Sequence, residues 1–128
     1  MAFVSKKHTS NAKINEVTIG TGDKAVTIGG GSTLPFYTFD AETANAPKIG
    51  MEVTDLGMAA YPQPGLQAFY AGCATVADMA ERAQTMEHVS FIALHLEGAD
   101  PNGANKSVDE CVALCKEVAD RIALPLVI

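Results

Sequence analysis

The stretch that decides the fold is VSFIALHLEGADPNGANKSVDECVALCKEVADRIALPLVI, residues 89–128. It begins with a near-continuous apolar run of strand length (89–97), which a polar, glycine-containing loop follows. Ser107 then has the character of a helix N-cap, with Glu110 at the capping-box position, and a last apolar run occupies 124–128. Apolar strands that alternate with helices predict a parallel sheet covered by helices.

The preceding segment repeats the same alternation. PKIGMEVTD (47–55) is predicted to be a buried strand, and one or two helical turns are expected around 66–70. TVADMAERAQTMEH (75–88) is predicted to be a helix, with Thr75 as N-cap and Asp78 three residues later. The stripes expected to face the core are Val76, Met79, Ala80, Ala83 and Met86 in the first helix, and Val108, Cys111, Val112, Cys115, Val118, Ala119 and Ile122 in the second.

The N-terminal third has a different pattern. NEVTIGTGDKAVTI (15–28) alternates apolar and polar residues around a glycine-containing turn, which predicts a β-hairpin. The run IGGGS (28–32) is weighed as a phosphate-binding loop, but Leu34-Pro35-Phe36 follows it and cannot open a helix, so a turn is favoured. We expect a single domain with a loose N-terminus (1–14), a hairpin with a Gly/Pro-rich connection (15–46) and β/α units (47–128).

Composition excludes several classes of protein. The chain has 128 residues, a net charge of −6 and a pI near 4.9, which argues against a nucleic-acid partner; the one local basic run, Lys6-Lys7-His8, is expected to be a solvated tail. Neither a membrane span nor a signal peptide is recognisable, and we expect a cytoplasmic protein. The three cysteines lack C-x-x-C spacing, and Cys111 and Cys115 share an apolar helix face, so core packing is favoured over a metal or iron–sulfur site.

Polar side chains collect at the ends of the two predicted strands. Because the carboxyl ends of parallel strands form the functional edge of a sheet, these groups are expected to converge there. Glu52 and Glu97 are candidates for an acid–base pair or for ligands of a hard cation. The alternative, favoured for catalysis, is that they are satisfied strand-end residues, and a binding role is better supported. The candidate binding residues are Glu52, Asp55, His95, Glu97, Asp100, Asn102 and Asn105.

The order of these motifs resembles a known family. EVTIG…AVTIGGGSTLPFYTFD, APKIGMEVTD, FIALHLEGADPNGANKSVDECVALCKEV and LPLVI are together similar to the N-terminal portion of the corrinoid iron–sulfur protein small subunit. That subunit is the delta subunit of the acetyl-CoA decarbonylase/synthase (CO dehydrogenase) complex. The resemblance covers nearly the whole chain from about residue 15, and its motifs are specific in combination rather than singly.

The resemblance implies a (β/α) TIM-type barrel subunit, preceded by a hairpin and represented here by its first three strands. It implies a non-catalytic role in the reductive acetyl-CoA (Wood–Ljungdahl) pathway of anaerobic carbon fixation. The corrinoid (cobamide) would be held mainly by a larger corrinoid and iron–sulfur subunit, with no cluster in this chain. A methyltetrahydropterin-dependent methyltransferase and acetyl-CoA synthase are the other implied partners, and the loop 98–106 would belong to the mouth that covers the corrin.

Two other functions stay open. A pterin-dependent methyltransferase would use the same barrel, with Asp100, Asn102 and Glu52 reaching the pterin ring. A small α/β module would use its open sheet edge for self-association alone. The apolar ending 124–128 leads us to expect a piece of a longer protein, with partial exposure of Leu126 and Ile128 or their pairing with another chain.

Overall fold

The computed structural model describes residues 2–4, 6, 11–33, 41 and 43–128. These residues form a two-stranded sheet, a three-stranded sheet and three α-helices. The elements in chain order are β1 (Val17–Ile19), β2 (Val26–Ile28), β3 (Ile49–Thr54), α1 (Pro64–Phe69), α2 (Val76–Ala83), β4 (Val89–His95), α3 (Val108–Arg121) and β5 (Leu126–Val127).

The predicted hairpin is confirmed. β1 and β2 pair antiparallel, and a 3₁₀ turn at Gly22–Lys24 joins them. Gly20, just after β1, has a φ of +82°, and a Cβ there would lie 3.0 Å from Cγ of Pro125. The turn of the hairpin therefore lies against the residue that precedes β5.

The glycine run after β2 is part of a turn. Gly30 has a φ of +75° and donates its N–H to the carbonyl of Ile14 at 3.0 Å, while the N–H of Ile14 donates to the carbonyl of Gly31 at 2.8 Å. These bonds extend the hairpin pairing and use backbone groups that a phosphate would need. The residues of the earlier predictions that lie outside the described part of the chain are Lys7, His8, Leu34, Pro35 and Phe36.

The three-stranded sheet is parallel throughout, as the alternation of strands and helices predicts. Its order is β3-β4-β5, so β4 is central. Thr54 is paired with His95 at the carboxyl ends of β3 and β4, and Ile92 is paired with Leu126. This register brings the ends of β3 and β4 side by side.

Helices cover one face of this sheet. The side chains with the largest buried volume belong to that layer and are Tyr70, Met79, Ile92, Leu94, Val53 and Val118. Because side chains alternate along a strand, Glu52 and His95, next to Val53 and Leu94 in the chain, lie on the opposite face. That second face has no covering helix among the described residues.

The predicted end of α2 is wrong. α2 ends at Ala83 rather than at 88, and the side chain of Met86 is 45% exposed. The hydroxyl of Thr85 donates to the carbonyl of Arg82 and His88 has a φ of +67°, so the chain leaves the helix in a turn.

The predicted core stripe of α3 is too wide. Cys111, Val118 and Ile122 are buried, but Val108 is 77% exposed and Val112 is 44% exposed, and Ala119 is exposed as well. The reason is that α3 packs against α2 on one side only, and the described residues provide no helix on its other side.

The sheet does not close into a barrel within the described residues. Ile128, at the end of the last strand, is 71% exposed, and Leu126 is half-buried, as the apolar ending predicts. In the part of the chain that the structure describes, none of the helices has the length and apolar character to cross a membrane.

Candidate functional site

The open face of the sheet carries a pair of ionisable side chains near the strand ends. Nδ1 of His95 lies 3.6 Å from Oε1 of Glu52, and the two side chains are 56% and 68% exposed. The pair results from the register, since Glu52 is opposite Ala93, two residues before His95 on the same face of β4. Two of the predicted binding residues are thus brought together on a face that solvent reaches.

A shallow cavity of about 420 Å³ adjoins this pair. Its other lining residues are apolar and come from β4 and from the end of the chain; they are Ala93, Leu94, Leu96, Val127 and Ile128. An apolar floor beside a carboxylate and an imidazole can receive a flat, partly apolar ligand, with the two polar groups accepting or donating hydrogen bonds at its edge.

Asp55 behaves differently from the prediction made for it. Its side chain is fully buried, and Oδ1 accepts from the N–H of Gly98 at 2.8 Å. Nζ of Lys106 donates to Oδ2 at 3.0 Å and to the carbonyl oxygen of Asp55 at 2.8 Å. The carboxylate is therefore occupied by the loop that follows β4 and does not face solvent.

Glu97 is tied to the end of β3. Oγ1 of Thr54 donates to Oε2 of Glu97 at 3.2 Å and accepts from the N–H of Leu56 at 3.3 Å. The N–H of Thr54 donates to the hydroxyl of Tyr61 at 3.0 Å. Glu97 is exposed, and Oε2 is the oxygen that this hydrogen bond uses, but Glu97 does not line the cavity beside the Glu52–His95 pair.

Tyr61 is held in turn by the core. Its ring stacks on that of Tyr70 with centroids 5.7 Å apart. Burial, with the neighbouring Tyr61 and Cys73, raises the pKa of Tyr70 to about 12. The end of β3 therefore rests on an aromatic pair whose inner member stays neutral at physiological pH.

The three remaining predicted residues lie in the loop between β4 and α3 and bond mainly within it. Oδ1 of Asp100 accepts from the N–H of Asn102 at 2.8 Å and from its side-chain amide at 3.2 Å. Asn105 has a φ of +49° and donates its N–H to the carbonyl of Asp100 at 3.1 Å. These contacts make an Asx turn, which is the structural alternative that the sequence left open.

Three residues of this region were not predicted, namely Thr54, Tyr61 and Lys106. The polar character of Thr54 at a strand end was a usable signal, since it precedes Asp55 directly. Lys106 gave no such signal, because its partner is 51 residues earlier in the chain and only the fold brings the two together.

The cysteines are part of the core layer rather than of a site. All three are free, and Cys111 is buried. Burial, followed by the neighbouring Cys111, raises the pKa of the Cys115 thiol, which disfavours the thiolate that a metal needs. Among the described residues, no group of three or more histidine, cysteine, aspartate or glutamate side chains is placed to hold a metal ion.

Comparison with known proteins gives a consistent result. Residues 16–128 match the family model described as CO dehydrogenase/acetyl-CoA synthase delta subunit. The chain is 29% identical over 117 residues to the acetyl-CoA decarbonylase/synthase complex subunit delta of Methanothermobacter thermautotrophicus, covering 91% of this chain and 30% of that protein. It is 26% identical over 134 residues to the protein of the same name from Archaeoglobus fulgidus, covering 98% of this chain and 29% of that protein. The chain thus spans somewhat less than a third of the length of these relatives.

Proposed function

The chain belongs to the CO dehydrogenase/acetyl-CoA synthase delta subunit family, and on that premise we propose that it is part of the non-catalytic subunit of a corrinoid methyl carrier. In this proposal it acts in the reductive acetyl-CoA pathway, where it helps to enclose the cobamide and to dock the larger subunit and the methyltransferase. The observation that carries the proposal is the Glu52–His95 pair beside an apolar cavity on the uncovered face of the sheet.

The proposed architecture is a (β/α) TIM-type barrel of which these strands are a part. Helices cover one face of the parallel sheet. The other face is uncovered and carries polar groups toward the strand ends. In a barrel, this second face would line the lumen and the mouth. The outer edge of β5 and the exposed Val108 and Val112 of α3 are where a further strand and helix would pack.

The residues on this face fit one edge of a corrinoid. A corrin is flat and apolar across its ring and carries carboxamide groups at its rim, and the cavity offers an apolar floor bordered by Glu52 and His95. A cavity of about 420 Å³ is smaller than the whole macrocycle, so these residues would cover only part of it, and the partner subunit would hold the rest. The corrinoid, when bound, supplies the methyl-carrying chemistry, and the chain's own groups bind, orient and exclude water.

The proposed partners are the larger corrinoid and iron–sulfur subunit, a methyltetrahydropterin-dependent methyltransferase and acetyl-CoA synthase. Support comes from the names of the curated relatives, which are subunits of an acetyl-CoA decarbonylase/synthase complex.

The test is substitution of the pair in the complete subunit, assembled with its corrinoid partner. We expect His95→Ala and Glu52→Ala each to weaken corrinoid retention by roughly three- to tenfold, since each removes one exposed polar contact worth about 1 kcal/mol. Corrinoid retained after dialysis is measured from its visible absorbance.

A matched control lies at the other end of β4. Glu87 and His88 form a similar exposed pair, with Nε2 of His88 3.2 Å from Oε1 of Glu87. Glu87→Ala and His88→Asn, the latter chosen because asparagine tolerates the φ of +67°, should leave retention unchanged. If the control pair and the Glu52–His95 pair behave alike, the proposed site is wrong, and binding of a methyltetrahydropterin without corrinoid would instead favour a methyltransferase.

A further inference from the structure

Every polar group of Asp55 bonds to one segment of the chain, residues 95–106. Its N–H donates to the carbonyl of His95 at 3.0 Å, and its Oδ1 accepts from the N–H of Gly98 at 2.8 Å. Its Oδ2 and its carbonyl oxygen both accept from Nζ of Lys106. A residue at the end of β3 therefore holds both the beginning and the end of the loop that joins β4 to α3.

The loop is closed at its base by the same residues. The N–H of Lys106 donates to the carbonyl of Gly98 at 2.8 Å, beside the ion pair with Asp55. A Cβ at Gly98 would lie 2.6 Å from Oδ2 of Asp55 and 2.8 Å from Cδ of Lys106, so only glycine fits between the two charged side chains.

The contribution of this ion pair to stability depends on how deeply it is buried. The side chain of Asp55 is 0% exposed and that of Lys106 is 30% exposed. An exposed ion pair contributes little, but removing one partner of a buried pair leaves an uncompensated charge, which is strongly destabilising. Loss of the lysine charge would therefore destabilise the whole loop and not only remove one hydrogen bond.

We infer that Asp55 and Lys106 are positioning residues, which fix the loop 96–106 and the backbone of His95 so that the Glu52–His95 pair borders the ligand site. Neither residue needs to touch the ligand. The identity of that ligand rests on the proposed function. The role of Asp55 and Lys106 in fixing the loop does not.

The experiment uses Lys106→Met, Asp55→Asn and the double variant, each in the complete subunit assembled with its corrinoid partner. The control is Lys116→Met, which removes an exposed lysine from α3, the helix that follows the loop. Hydrogen exchange of the loop 96–106 reports the holding of the loop, and the absorbance spectrum and retention of the bound corrinoid report the site.

We expect amide exchange at Gly98 and Lys106 to be roughly tenfold faster or more in Lys106→Met, with α2 unaffected. Adding Asp55→Asn to Lys106→Met should slow that exchange again, because it removes the unpaired buried charge. Corrinoid retention in Lys106→Met should fall as it does in His95→Ala, while Lys116→Met matches the unaltered protein.

Unchanged exchange in Lys106→Met, or an Asp55→Asn effect that simply adds to it, would overturn the inference. If exchange rises but retention falls only in His95→Ala, the loop does not position the site and the inference is also overturned. If neither Lys106→Met nor His95→Ala changes retention while exchange rises, the failure is that of the proposed function, and the pair still holds the loop.

Discussion

Gly98 lies where the packing leaves no room for a side chain. A Cβ there would meet both Asp55 and Lys106 closer than van der Waals contact allows, and both are held by hydrogen bonds. We therefore expect Gly98→Ala to lower the free energy of unfolding by about 1–3 kcal/mol. Urea unfolding followed by circular dichroism measures this change.

Gly103 provides the control in the same loop. A Cβ at Gly103 would lie 3.6 Å from the carbonyl oxygen of Asp100, an ordinary contact, and its φ is not positive. Gly103→Ala should leave the unfolding midpoint unchanged. If both variants lose the same free energy of unfolding, the destabilisation arises from the loop as a whole and not from the space between Asp55 and Lys106.

Asp55 shows how far single residues can be interpreted from sequence. Its type and its place after an apolar strand correctly indicate an ionised group at the strand end. Whether such a carboxylate faces ligand or protein depends on what the fold places beside it, and Lys106 comes from 51 residues away. The Glu52–His95 pair could be anticipated because it needs only two adjacent parallel strands in register.

At the scale of elements, α3 begins at a complete capping box. Oγ of Ser107 accepts from the N–H of Glu110 at 3.3 Å, and the carboxylate of Glu110 accepts from the N–H of Ser107 at 2.8 Å. The backbone N–H and then the hydroxyl of Ser107 lower the pKa of Glu110 below its ordinary value of 4.5. A carboxylate whose pKa is lowered by folding stabilises the folded state above its ordinary pKa and loses that contribution as pH falls.

We therefore expect Glu110→Gln to reduce stability at neutral pH, and the difference from the unaltered protein to shrink as the pH falls below the ordinary pKa of 4.5. Glutamine can still accept the hydrogen bond, so the variant removes the charge more than the cap. Urea midpoints between about pH 3 and pH 7 measure the difference. Glu117→Gln, farther along α3, controls for the loss of one negative charge, and a pH-independent difference for Glu110→Gln would contradict the prediction.

Element starts could be predicted better than element ends. Ser107 and Thr75 carry side chains whose capping bonds are local in sequence, and both helices begin where those residues indicate. The end of α2 was placed too late because Met86 continues the apolar period, although it has no core to pack against. Likewise, periodicity marked Val108 and Val112 as buried, but burial needs a neighbouring helix, which a local pattern does not report.

At the scale of the whole molecule, the three-stranded sheet has an apolar end strand whose outer edge is unpaired among the described residues. Ile128 is 71% exposed beside it. Unpaired strand edges associate with one another, so we expect the 128-residue chain to self-associate with increasing concentration. Ile128→Lys should reduce that association by placing a charge at the edge, as sedimentation velocity would show.

Phe3→Lys is the matched control, because Phe3 is 93% exposed and lies outside both sheets. It adds the same charge but should leave association unchanged. A chain that stays monomeric at all concentrations would contradict the expectation that the edge of β5 associates with another chain.

The strand order and the parallel direction were within reach of the sequence, because alternation of apolar strands and capped helices allows few other arrangements. What packs on the open face could not be predicted, because the alternation of side chains along a strand reports only the two faces and not their neighbours. The proposed site lies on that face, which is why its location could be predicted more firmly than its ligand.

The contact between Gly20 and Pro125 has a consequence for how the chain folds. The hairpin forms between neighbouring residues and bonds to the nearby Asn45, but its turn also packs against a residue 105 positions later, and that contact forms only when β5 has joined β4. Closing so long a segment has a large entropic cost, which slows the steps that depend on it. The contact between the turn of the hairpin and Pro125 should therefore be among the last to form in refolding.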